Sequence, residues 1–169
     1  MNKTYALEGA YLVATSSVSH EKLRGALVYI YQVDGEVVSG VVINKPSSKR
    51  LGDLLEYPAE LKNMQVWHGG PVGTERLIAF SHRGKDVYIT DRLANLTKAQ
   101  VRTSMFLSGQ CVWELSALLQ QVKEGDWVLV GSNYLIPQQI PAELRADYIL
   151  RASGISSERY VASAEAELA

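Results

Sequence analysis

Two apolar runs in this chain are cut short by proline corners. Gly40-Val41-Val42-Ile43 runs into Asn44-Lys45-Pro46, and Val66-Trp67 runs through His68 into Gly69-Gly70-Pro71-Val72. Proline fixes its own φ and pushes the residue before it towards extended geometry. Each run therefore reads as a strand that reaches a rim and turns there, and both corners are architectural before they are anything else.

The remaining elements are placed around these strands. Ala10 to Thr15 is a continuous apolar run that suits a buried strand, and Ser16, Ser17 and Ser19 offer caps for a helical turn over His20 to Arg24. Ala26 to Val33 and Glu36 to Ile43 flank Asp34-Gly35, a dipeptide that accepts positive φ and predicts a tight hairpin. After Pro46, the polar Ser47-Ser48-Lys49-Arg50 leads to Leu51, Leu54 and Leu55, the face of a short helix ended by Pro58. Strands are expected at Gln65 to His68, Leu77 to Phe80 and Asp86 to Thr90, the last after an Arg83-Gly84-Lys85 turn. Thr97 with Gln100 forms a capping box for a brief helix. Leu115, Leu118, Leu119 and Val122 fall at helical spacing, Gly125 stops that helix, and Trp127 to Val130 is strand-like. A last helix begins near Pro141, presents Leu144, Tyr148 and Ile149 on one face, and ends by Gly154. Hairpin-separated strands argue for antiparallel pairing, and the helices come too irregularly for a βαβ series.

A chain of 169 residues, 47% hydrophobic and 21% charged, is far from the composition of a disordered segment. It reads as one domain over residues 1–155 with a tail that frays over 156–169. The formal net charge of -1 supplies no global positive field for a phosphate backbone. No stretch resembles a secretory leader, and none approaches the ~18 apolar residues of a membrane span, so the expected setting is soluble and cytoplasmic. The single cysteine, Cys111, cannot form an internal disulfide, which agrees with a reducing compartment.

Chemically complete constellations are missing. Gly69-Gly70-Pro71-Val72-Gly73-Thr74 is rich in glycine, but Pro71 removes a donor and no helix follows, so a structural corner is the better reading than a phosphate cradle. His68 and His82 flank the Gly-Gly-Pro segment and would meet if it formed a hairpin, yet no further ligand supports a metal site. There is neither a Gly-x-Ser-x-Gly elbow nor a catalytic-cysteine signature, and Cys111 beside Trp113 reads as a packed thiol. No catalytic residue, cofactor or metal is assigned.

The order of motifs resembles the YqgE/AlgH family. Its members carry an apolar run ending in Asn-Lys/Arg-Pro, a Gly-Gly-Pro segment leading to a Leu-His pair, a Gly-Tyr-Ala-x-Trp segment and a later tryptophan. Here these are Gly40 to Pro46, Gly69 to Pro71 leading to His82 with one extra residue, Gly109 to Trp113, and Trp127. The likeness runs from about Gly9 to Ile155. Ser116 and Ala117 stand where the family has Gly-Gln, and Leu119 and Gln121 where it has acidic residues, so this is a divergent member. The resemblance implies an α+β domain with a strongly bent, mostly antiparallel sheet forming an open pseudo-barrel with flanking helices.

It also implies a poorly understood biochemistry. The leading expectation is a non-catalytic regulatory or interaction protein, with an unknown protein partner or small molecule and no membrane. A transcriptional-regulator label attached to some members gives direct DNA binding as one alternative, although no helix-turn-helix is visible. The other is a ligand binder or enzyme using the rim around Asn44, Lys45, Gly69, Gly70 and His82. Pro46, Pro71, Gly109 and Trp113 complete the candidate binding surface.

Overall fold

The computed structural model describes residues 7–55, 61–83, 86–131 and 140–154. Nine strands and three helices follow one another. The strands are β1 (Tyr11–Ala14), β2 (Leu27–Asp34), β3 (Val37–Val42), β4 (Pro46–Arg50), β5 (Gln65–His68), β6 (Val72–Arg83), β7 (Asp86–Thr90), β8 (Met105–Glu114) and β9 (Trp127–Val130). The helices are α1 (Lys98–Thr103), α2 (Leu115–Lys123) and α3 (Ala142–Ala152). This is the expected α+β class. All nine strands belong to one open sheet in the order β4-β5-β8-β3-β2-β1-β9, with β6 and β7 branching from β8. Only β5 and β8 run parallel; the other described pairings are antiparallel.

β8 is the shared strand that bends the sheet. Over Phe106 to Ser108 it pairs with β5 on one edge and β6 on the other, while Cys111 to Glu114 pair with β3. Between these halves lies Gly109 at φ +81. The Gly-Gly-Pro corner crosses β8 here so closely that side chains have no room. A Cβ on Gly69 would lie 2.3 Å from the Gly109 carbonyl oxygen, and one on Gly70 would lie 2.2 Å from the Gln110 carbonyl carbon. The reading of this corner as architecture is correct, and the cause is backbone crowding as well as φ.

Strand periodicity distributes the core over both faces of the bent sheet. Tyr11, Val13, Leu27 and Tyr29 point into the bend, where they meet Ile78 and Phe80 from β6. Leu12, Ala14, Val28 and Ile30 point outwards and pack with Leu118 of α2. On the outer face of the other half, Val66, Ala79 and Phe106 pack with Leu51, Leu61 and Val101. α3 places Ile149 and Leu150 at one end of the inner cluster.

Several local expectations hold. The β2–β3 hairpin closes with Asp34 opposite Val37, so its loop is Gly35-Glu36, with Gly35 at φ +58. Thr97 and Gln100 make the reciprocal capping box of α1. α2 ends at Glu124 with Gly125 at φ +86.

Others are corrected. The cap of the 3₁₀ turn over Glu21–Leu23 is His20, whose Nδ1 accepts from the Lys22 amide, and not a serine. Pro46 to Arg50 is an edge strand, and among the described residues directly after it Leu51–Asp53 form a single 3₁₀ turn. Leu51 is buried there, whereas Leu54 and Leu55 are 40% and 37% exposed, so no leucine face forms. The stop at Pro58, the Gly84-Lys85 turn and the tail lie outside the described residues. On α3 the buried residues are Arg145, Ile149 and Leu150, while Leu144 and Tyr148 are 53% and 38% exposed. Arg145 on the inner face defeated the apolar periodicity that the sequence offered.

Candidate functional site

The structure brings part of the expected rim together. The His68 amide donates to the Lys45 carbonyl at 2.8 Å, Pro46 pairs with Trp67, and the Val42 amide donates to the Gly69 carbonyl at 2.8 Å. Asn44, Lys45, Pro46, Gly69, Gly70 and Gly109 thus sit along one seam. Asn44 is a long-range tie and not a local turn residue. Its Oδ1 accepts from the Leu27 amide and its Nδ2 donates to the Gly25 carbonyl, both at 2.9 Å. The side chain of Lys45 has no hydrogen bond or ion pair among the described residues. Above the seam, the buried Arg145 of α3 donates through Nη1 to the Ile43 carbonyl at 2.6 Å and lies 4.7 Å over the Trp67 ring. Desolvation lowers its pKa, partly offset by the Glu143 carboxylate. This seam is therefore closed by a helix.

Pro71 and Trp113 belong to a different place, a groove of about 240 Å³ that also holds Cys111 and Trp127. The two tryptophan rings meet edge to face at 5.8 Å, and Trp127 Nε1 donates to Gln121 Oε1 at 3.0 Å. Burial pushes the Cys111 thiol up to about 12, so it stays protonated at neutral pH. Among the described residues, no group of three or more His, Cys, Asp or Glu residues gathers as a metal site. β5 and β6 do not form the hairpin that would join His68 to His82, because β8 lies between them. The His82 backbone pairs with Val87, roughly 16 Å beyond Leu77 along β6 at ~3.3 Å per residue. Its side chain lies outside what is described.

A further concavity lies elsewhere, in the open end of the bend. A cleft of about 780 Å³ is walled by β2 and β3 on one side and by β6 and β7 on the other. That volume lies within the ~300 to 1,000 Å³ typical of small-molecule pockets. Tyr31 stands at the β-bulge between Ile30 and Gln32, a device that re-aims a side chain. Its hydroxyl hydrogen-bonds Gln110 Oε1. Burial raises its pKa, while the neighbouring buried Ser39 and the charge of Arg76 oppose that shift and Asp91 adds to it. Burial likewise raises Tyr29, with Glu8 adding to the effect. Arg76 and Asp91 form an exposed ion pair at the mouth. Of the described residues of the expected binding surface, Gly109 lines this cleft.

Comparison with known proteins decides the kinship. Residues 11–157 match the AlgH-like family (DUF179). The chain belongs to the AlgH-like family. Among curated relatives, it is 27% identical over 159 residues to a UPF0301 protein of Coxiella burnetii (strain Dugway 5J108-111), covering 86% of this chain and 88% of that one. It is 28% identical over 162 residues to a UPF0301 protein of Pseudoalteromonas translucida, covering 83% and 87%. The solution structure of the AlgH protein from Pseudomonas aeruginosa superposes with a TM-score of 0.64 at 17% identity, over 99% of this chain and 92% of that one. A crystal structure of a Corynebacterium diphtheriae protein gives 0.66 at 14% identity, over 89% and 90%. These two show that the AlgH-like fold is shared. The AlgH-like motifs are largely the seam that holds the bent sheet together. The cleft residues carried a weaker signal: Tyr29 and Tyr31, two apart on a strand, were the available hint.

No helix among the described residues is long and apolar enough to cross a membrane.

Proposed function

We propose that this AlgH-like chain is a non-catalytic regulatory protein that works in the cytoplasm by taking a small polar ligand into the cleft of its bent sheet. The observation that carries the reading is the Tyr31–Gln110 hydrogen bond, with Ser39 beside it, set into a cleft of about 780 Å³. Its lining is mostly polar, with Ile78, Val87 and Ile89 as the apolar part, which suits a small polar ligand. The described lining contains no cysteine or histidine, which favours binding over chemistry. Ligand uptake would act on the relative setting of β2–β3 and β6–β7, and so on whatever partner reads the outer surface. The near-neutral charge gives no support to direct DNA binding.

The test is native mass spectrometry of the protein purified gently from a bacterial lysate, beside Ser39→Ala and Tyr31→Phe variants. The wild type should retain a small molecule that both variants retain less. Equal retention by all three proteins would remove the cleft from the account.

A further inference from the structure

We propose that the ligand of this cleft is a flat, ring-bearing compound with one acidic group, a carboxylate or a phosphate. This rests on the cleft being the binding site. The ring belongs on the Tyr29 wall. Tyr29, only 8% exposed, is held edge-to-face by Phe80 at a centroid distance of 5.5 Å and tilted against Tyr11 at 5.4 Å, so the small part of it that lines the cleft is a fixed aromatic surface. Ile78, Val87 and Ile89 continue that wall from the opposite strands. A flat body inserted between two facing sheet halves contacts both, which a compact ion does not.

The acidic group belongs at Arg92. Among the described residues, four charged side chains line the cleft: Glu8, Arg76, Asp91 and Arg92. Arg76 is already paired with Asp91. The Glu8 carboxylate accepts from the Val33 amide at 2.8 Å. The Arg92 guanidinium is exposed and has no hydrogen bond or ion pair among the described residues, so its fork of donors is available for a planar or tetrahedral anion. Glu8 opposes a second acidic group, which limits the ligand to one. The ring's polar edge would meet the Ser39, Tyr31 and Gln110 row between these ends.

The experiment is a ¹H–¹⁵N NMR titration of the full chain with four probes: 2-naphthoate, 2-naphthyl phosphate, and the uncharged 2-naphthamide and 2-naphthylmethanol. At least one charged probe should shift the Ser39, Gln110 and Arg92 amides and bind about tenfold tighter than its uncharged counterpart, the effect of one charge-assisted contact. Whether the carboxylate or the phosphate binds tighter names the acidic group. In Arg92→Ala the charged probe should lose that advantage, whereas Glu8→Gln should tighten it about twofold. Equal binding of charged and uncharged rings would overturn the acidic-group assignment and leave the cleft standing. Absence of shifts in the cleft with all four probes would overturn the ring-bearing class, and the retained molecule in the lysate experiment would then decide the cleft itself.

Discussion

At Gly69, Gly70 and Gly109 the penalty for a side chain is set by the backbone on the far side of the crossing. Gly70→Val places its Cβ inside van der Waals contact with the Gln110 and Cys111 backbone. It should cost at least about 3 kcal/mol from overpacking and a positive φ combined, read as a lower urea midpoint. An unchanged midpoint would show that the corner is not crowded. Asn44→Ala removes one bond to Gly25 in the loop before β2 and one to Leu27 at the start of β2, and should cost about 1 to 2 kcal/mol. Lys45→Ala should stay within about 0.5 kcal/mol, as for other solvated positions. Cys111 supplies a pH test. Its thiol stays protonated in the folded chain to about 12, against an ordinary value near 9. Unfolding therefore releases a proton between those values, so this contribution to stability is complete below pH 9 and is lost as pH rises towards 12. At pH 8 the folded protein should react with a thiol reagent only as fast as it unfolds, and rapid labelling without denaturant would contradict the burial. The glycine corner was legible because proline and glycine write backbone geometry directly into sequence. Asn44 was legible as a structural residue but not in its bonds, since its partners lie 17 and 19 positions away.

Elements with local punctuation were legible as well. The Asp34-Gly35 hairpin, the capped α1 and the glycine-stopped α2 each carry their own start or stop signal. β4 did not, because Pro-Ser-Ser-Lys-Arg has little strand propensity. It is a strand only because it lies at an edge beside β5, where proline's missing donor costs no ladder bond. The inner face of α3 was misread for a related reason. A buried arginine occupies the place where an apolar residue was expected, and its bonds to the Ile43 and Ile140 carbonyls tie the helix to the end of β3. Arg145→Ala should cost about 2 to 4 kcal/mol, because it leaves those carbonyls short of a donor and removes the contact with Trp67. Hydrogen exchange provides the check: the Ile149 and Leu150 amides should lose protection before those of β8. Unchanged protection in α3 would mean that Ile149 and Leu150 alone hold the helix.

For the whole molecule, what matters is that a single strand serves two halves of a sheet. β8 draws partners from residues 37–40, 65–68 and 72–80, contacts too distant in sequence for any local pattern to reveal. The resemblance supplied the bent sheet, and the structure shows what it encloses: a core that includes Ile149 and Leu150 of α3, and a cleft bordered by the same cluster. The cleft escaped the sequence reading because Tyr31, Ser39, Arg76 and Gln110 come from four strands and form no motif. With a net charge of -1, the protein should bind duplex DNA no tighter than about 10 μM at physiological salt, and a salt-sensitive shift at sub-micromolar protein would reverse that expectation. The central claim is that this cleft, and not the Asn44-Lys45 seam or the Trp113 groove, is where the molecule binds. The most direct measurement is a ¹H–¹⁵N NMR map of the protein titrated with the small-molecule fraction of a bacterial lysate. The account predicts shifts gathered at Tyr31, Ser39, Gln110 and Asp91, with Asn44, Lys45 and Trp113 unmoved; shifts confined to Lys45, His68 or Trp113 would contradict it.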